Sequence, residues 1–282
     1  MSAAAEMTSG KGHRDENFPV ASHLVRAELR PAILAFYRFA RAADDVADHA
    51  TASPGEKLAW LDAMEAGLDG DEASGPEGAA LARALALRGL PDRHARDLLV
   101  AFRRDVTQRR YANWAELMDY CRYSAAPVGR FVLDLHGEGR ALWPANDALC
   151  AALQVINHLQ DCGKDYRTLD RVYLPLDRMG AEPVESLGAA TASPALRAVI
   201  ADLARRCQEL LAQSRGFAAE IADRRLALEV GVIQALAEDL AARLTRRDPL
   251  SERVHHHKLE ALGLGLRGGA SVALGWLGRR QA

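Results

Sequence analysis

Three features of the chain predict an all-α fold. Helical periodicity dominates from Arg30 onward, and strand-type alternation is almost absent. Ala, Leu and Arg abound while β-branched residues are few, a balance that favours helix. Helix-start signatures also recur, the clearest being Ser53, Pro54 and Glu56, which combine a capping hydroxyl, a first-turn proline and a capping-box carboxylate.

The elements follow in order. A first helix is expected from about Arg30 to Ala50, and a second after Ser53. Residues 68–76, LDGDEASGP, read as a loop. Further helices are expected over 77–89, 92–110, 114–125, 127–138, 143–165, 192–214, 217–246 and 250–262. Asn113 with Glu116 opens the one at 114. Residues 166–191 form the longest irregular connection. Residues 1–15 are expected to be mobile and 16–282 to make a single all-α domain, since no linker is long enough to divide the chain.

Composition narrows the function. With 49% hydrophobic and 26% charged residues the chain can bury a sizeable core. A net charge of −2 argues against a nucleic-acid partner. The four cysteines, Cys121, Cys150, Cys162 and Cys207, form no CxxC pair and read as reduced thiols of a cytoplasmic protein. The polar opening residues lack the apolar run of a signal peptide, and no stretch reaches the roughly 18 apolar residues of a membrane span.

The chemistry is concentrated in two aspartate stripes. At about 100° per residue, with Asp44 at zero, Tyr37 lies near 20°, Asp48 near 40° and Arg41 near 60°. Asp45 and Arg38 point elsewhere, while Ile33, Phe36, Phe39, Ala43 and Val46 face packing. A solvated acidic stripe is the bland reading, because charge pairs usually decorate surfaces. The apolar surroundings weaken it, and the alternative is a hard divalent cation that takes oxygen ligands. The same pattern recurs on the helix beginning at 143. With Asp161 at zero, Gln154 falls near 20°, Asp165 near 40° and Asn157 near −40°. If the two faces met across a cavity, four carboxylates would converge. Such a set suits Mg²⁺ ions that keep waters and bridge to substrate phosphates, with Arg41, Lys164 and Arg171 as further cationic contacts to a diphosphate.

These residues resemble the squalene/phytoene synthase family of all-α isoprenoid synthases, whose helices surround a central cavity. Tyr37, Arg41, Asp44 and Asp48 match its first aspartate-rich pattern, and Gln154, Asn157, Asp161 and Asp165 its second. YCRYSAAPVGR, from Tyr120 to Arg130, matches a third segment, and Arg171 and Tyr173 match after the second. The resemblance runs from about residue 12 to 180 and is nearest the bacterial branch that makes hydroxysqualene for hopanoids.

That branch implies Mg²⁺-dependent ionisation of presqualene diphosphate, rearrangement and capture of water. It also implies an upstream presqualene diphosphate synthase and a downstream hydroxysqualene reductase as channelling partners. Asp44, Asp48, Asp161 and Asp165 would hold metal, and Arg41 and Arg171 would stabilise the leaving group. Gln154, Asn157 and Lys164 would contact substrate, and Tyr37 and Tyr173 would position groups. Phe18, Phe36 and Tyr120 would turn ring faces to the cation. Glu16 stands where condensing relatives carry a basic or small polar residue, and it or the released diphosphate would activate water. Head-to-head condensation of prenyl diphosphates is the competing enzymatic reading, and a non-catalytic assembly scaffold the reading of another class. His255, His256 and His257 read as a solvated cluster, and His49 and His158 as packing or support for the stripes. The tail from Leu259 is a candidate for peripheral membrane contact.

Overall fold

The computed structural model describes residues 26–279, with side chains through Trp276. Glu16, Phe18 and the 1–15 segment lie outside the described residues. Twelve α-helices account for most of them, and the only strand-like feature among them is one isolated parallel bridge, Arg110 with Val172. The helices divide into two compact units.

The first unit runs to Gln108 and includes Arg130–Gly137. It contains α1 (Arg30–Ala47), α2 (Pro54–Leu68), α3 (Pro76–Ala86), α4 (Arg93–Thr107) and the later part of α6 (Ala126–Leu135). Pro31 is tolerated because the first turn needs no N–H partner. The helix stops at Ala47, earlier than expected, and Lys57 Nζ donates to the freed Ala47 carbonyl at 3.0 Å. Ser53 and Glu56 form the anticipated capping box on α2. The core is built from Phe36, Phe39, Val46, Leu61, Leu81, Leu98 and Phe131, all at most 4% exposed. Helices α2 and α3 approach until backbones touch. A Cβ added at Gly67 would lie 2.0 Å from the Gly75 carbonyl oxygen, and one at Gly78 2.1 Å from that of Met64.

The second unit comprises Arg109–Gly129 and everything from Glu138 onward. It holds α5 (Trp114–Ser124), the start of α6, α7 (Trp143–Leu169), α8 (Leu176–Met179), α9 (Pro194–Gln213), α10 (Phe217–Glu220), α11 (Arg224–Leu244) and α12 (Lys258–Arg279). Asn113 caps α5 by accepting the Glu116 N–H at 3.0 Å. Helix α7 packs on α5, α9 and α11, and α11 packs on α12.

The expected helix over 217–246 is broken at 221–223. There Asp223 turns its carboxylate back to cap α11, and Glu138 accepts the Ala222 and Asp223 N–H groups at 3.0 and 2.8 Å. The expected helix over 250–262 is also absent from its first half. Asp248 instead accepts the N–H groups of Leu250 and Ala192, and the chain becomes helical only at Lys258. The four cysteines are free thiols, and burial drives the Cys162 thiol up to about 12, so it stays protonated.

Candidate active site

The first aspartate pair closes α1. Tyr37, Arg41, Asp44 and Asp48 are each half-buried, in keeping with one recessed helix face. Asp48 follows the last helical residue but keeps helical backbone angles (φ −89°, ψ −2°), and its N–H donates to the Asp44 carbonyl. Arg41 donates from Nη1 to Asp44 Oδ2 at 3.0 Å and from Nη2 to Asp45 Oδ1 at 2.7 Å. Asp45 therefore belongs to this cluster and does not point away from it. On the helical wheel Arg41 lies about 60° from Asp44 and about 40° from Asp45, so a forked guanidinium reaches both.

Burial, and then repulsion from Asp48, push the Asp44 carboxyl up to about 7; Arg41 opposes the shift, and Asp105 and Asp45 add to it. Asp105, from α4, is 7% exposed and is a charge that no pattern along the chain places here. The Asp44 side chain nevertheless keeps 41% of its surface accessible, so it is recessed yet reachable. Surplus carboxylate charge in such a spot is what a bound cation relieves. Phe36, by contrast, is a core residue: it is 4% exposed and stacks on Phe131 at 4.1 Å.

The second pair lies on α7, in the other unit. Asp161 and Lys164 are exposed, and Gln154, Asn157 and Asp165 are half-buried. Helix α7 runs four residues beyond the expected end at 165 and stops at Asp170, whose left-handed backbone (φ 52°) turns the chain. The guanidiniums of Arg109 and Arg110 grip the Asp170 carboxylate at 2.7 and 2.6 Å. Val172 N–H then donates to the Arg109 carbonyl and Leu176 N–H to that of Tyr111, each at 2.9 Å. This pairing lays Arg171 and Tyr173, both 7% exposed, beside residues 109–111.

Tyr173 stacks on His158 with ring centroids 3.5 Å apart, and Tyr111 and Tyr120 complete the cluster at 5.6 and 5.5 Å from Tyr173. Tyr111 belongs to neither aspartate stripe, and its ring meets Tyr173 only through the pairing of residues 109–111 with 172–176. Burial, with Arg171 adding repulsion, holds His158 neutral and lowers it to about 3. The neutral ring can accept the Gln154 amide N–H, 3.1 Å from its Nε2. His49 accepts the Ala52 N–H at 3.1 Å and so serves the turn after α1.

Of the three histidines before α12, His255 and His256 are half-buried and tied down while His257 is exposed, so the expectation of a solvated cluster holds only in part. His256 Nε2 meets Asp239 Oδ2 at 2.9 Å, Arg243 donates to the His255 carbonyl at 3.3 Å, and buried Gln160 of α7 donates to the Val254 carbonyl.

His158 makes stability pH-dependent. Its folded value lies below the ordinary 6.5, so the unfolded chain binds the extra proton first. The stability conferred by burying a neutral ring is present above about 6.5 and declines as pH falls toward 3, by up to about 1.4 kcal/mol per pH unit. In urea unfolding at pH 7.5 and 5.5, His158→Phe keeps a ring on Tyr173 but has no titrating nitrogen. It should gain stability relative to the parent at the lower pH, because the opposite contribution of Asp44 is common to both. An equal pH dependence in parent and variant would assign none of it to His158.

The squalene/phytoene synthase family model matches residues 12–260. The hydroxysqualene synthase of Zymomonas mobilis subsp. mobilis is 58% identical over 93% of this chain and 89% of its own length. That of Rhodopseudomonas palustris is 57% identical over 92% of this chain and 90% of its own length. The crystal structure of squalene synthase HpnC from Alicyclobacillus acidocaldarius is similar in fold, with a TM-score of 0.70 and 35% identity over 80% of this chain and 87% of that one.

Proposed function

The chain belongs to the squalene/phytoene synthase family, and from that premise we infer that it forms hydroxysqualene from presqualene diphosphate, releasing diphosphate and adding water. The observation that carries this is identity of 57–58%, over more than nine-tenths of the chain, to relatives named hydroxysqualene synthases. Both aspartate pairs that mark the family are present in full.

The donor set suits Mg²⁺. It is all-oxygen, and at Asp44 its negative charge is under-compensated. Among the described residues no three His, Cys, Asp or Glu side chains gather into a self-sufficient metal cage. Mg²⁺ commonly takes one or two carboxylates and completes its shell with waters and substrate phosphates. When bound, it supplies Lewis acidity to the departing diphosphate.

We assign Asp44 and Asp48 on the first unit, and Asp161 and Asp165 on the second, as the carboxylates that take up Mg²⁺. Arg41, gripped by Asp44 and Asp45, fixes the direction of the Asp44 carboxylate. Arg171 and Lys164 meet diphosphate oxygens, and Asn157 and Gln154 donate polar contacts beside them. Tyr37 and Tyr173 position these groups and carry no proton, and Tyr120 offers a ring face to the carbocation. Because His158 is neutral, it adds no positive charge to the Tyr120–Tyr173 cluster. Phe36 contributes through the packing of α1. Glu16 or the released diphosphate takes the proton from the attacking water.

The test offers purified protein either presqualene diphosphate or farnesyl diphosphate, with Mg²⁺ and no reductant. Hydroxysqualene should form from presqualene diphosphate alone. Turnover of farnesyl diphosphate would replace this reading with head-to-head condensation, and inertness toward both would leave a scaffold.

A further inference from the structure

Helix α12 has two apolar faces and only one of them is covered. The inner face lies on α11, where Gly268 and Gly231 allow the backbones to touch. A Cβ on Gly268 would stand 2.3 Å from the Gly231 carbonyl oxygen. With Gly268 at zero, Leu259, Leu262, Leu266, Ala270 and Leu274 all fall within about 60° of the opposite direction. Those four leucines are 83, 61, 69 and 67% exposed. They make up more than half of the large hydrophobic side chains left open among the described residues, the others being Leu87, Val128 and Leu176, which lie on other elements.

Charge around this stripe has one sign. Lys258 and Arg267 are exposed and border it on opposite sides. At the far end Trp276, on the same border as Lys258, carries the exposed Arg224 guanidinium 5.5 Å over its ring. The helix contains a single acid, Glu260, and this is turned toward the body of the unit, 3.3 Å from Arg243 and accepting the His257 N–H at 2.9 Å. An apolar band edged by cations and an aromatic ring, with no free carboxylate, matches the boundary of a bilayer carrying anionic head groups. No described helix is long and apolar enough to cross a membrane, so contact would be in the plane of the surface.

We propose that the Leu259–Leu274 face of α12 seats the protein on an anionic lipid surface. The full chain should pellet with vesicles of phosphatidylcholine containing phosphatidylglycerol, and less with phosphatidylcholine alone. Added salt should weaken the first interaction. The double variant Leu262→Asp, Leu266→Asp changes only exposed positions and should keep the helical spectrum. It should lose roughly tenfold in partition per leucine, the factor expected when a buried leucine is forfeited. Leu87→Asp makes the same chemical change at an 87% exposed leucine of the first unit and should bind as the parent does.

Failure of the full chain to pellet with either vesicle would overturn the assignment, as would equal binding by the double variant. A dimer in vesicle-free solution that the double variant dissociates would also overturn it, in favour of a second copy on this face. Vesicle binding is read without substrate, so it stands apart from the assigned reaction.

Discussion

Replacement of Asp44 by asparagine is expected to lower Mg²⁺-dependent turnover by about a thousandfold while leaving helix content unchanged. The same substitution should stabilise the metal-free protein. Asp44 is pushed up to about 7 by burial and by Asp48, so the folded chain prefers it protonated. Stability tied to that proton is complete below the ordinary carboxylate range and is lost as pH rises through about 7. At pH 8 the metal-free parent therefore holds an unfavourable anion, and asparagine removes it. Arg41 is not orphaned, because Asp45 still accepts its Nη2 donor at 2.7 Å.

Added Mg²⁺ should raise the melting temperature of the parent and leave that of Asp44→Asn nearly unmoved, since a ligand stabilises only the state that binds it. The two directions separate a functional aspartate from a structural one. Lost activity with gained stability is the pattern of a site kept at the expense of the fold. A variant that melts earlier and still turns over would remove Asp44 from the metal site.

Substitution of Gly78 by alanine should destabilise the protein by about 3 kcal/mol, seen as a lower urea midpoint with an unchanged slope. Helix propensity alone predicts the reverse, because alanine is favoured over glycine inside a helix by about 1 kcal/mol. At Gly78 the added carbon would stand 2.1 Å from the Met64 carbonyl oxygen and 2.9 Å from the Leu68 nitrogen. Both are backbone atoms of α2, so no rotamer change relieves the overlap and the two helices must separate. Gly55, in the first turn of α2, has nothing within 4 Å of an added carbon, and Gly55→Ala should be neutral or mildly stabilising. If both variants behaved alike, the close approach of α2 and α3 would not be a source of stability.

What the sequence could determine was whatever depends on neighbours along the chain. Helical period, the Ser53–Glu56 capping box and the Asn113 cap involve residues a turn or less apart, and the structure repeats them. The composition of each aspartate stripe was legible for the same reason, since one helical turn puts residues four apart on one face. The Asp223 cap that divides α10 from α11 was also a local signal, though an unbroken run of helix-forming residues obscured it.

Everything that needed a partner from a distant segment was decided by tertiary packing. Asp105 reaches the Asp44 neighbourhood only because α4 packs on α1, and Tyr111 meets Tyr173 only because residues 109–111 pair with 171–176. The leucines of α12 are the plainest instance. From the sequence the last helix is expected to end at 262, with only a tail from Leu259, whereas α12 runs to Arg279. Which side of it is left open depends on where Gly231 lets α11 approach. Burial is a property of two surfaces, and a sequence read one helix at a time describes only one of them.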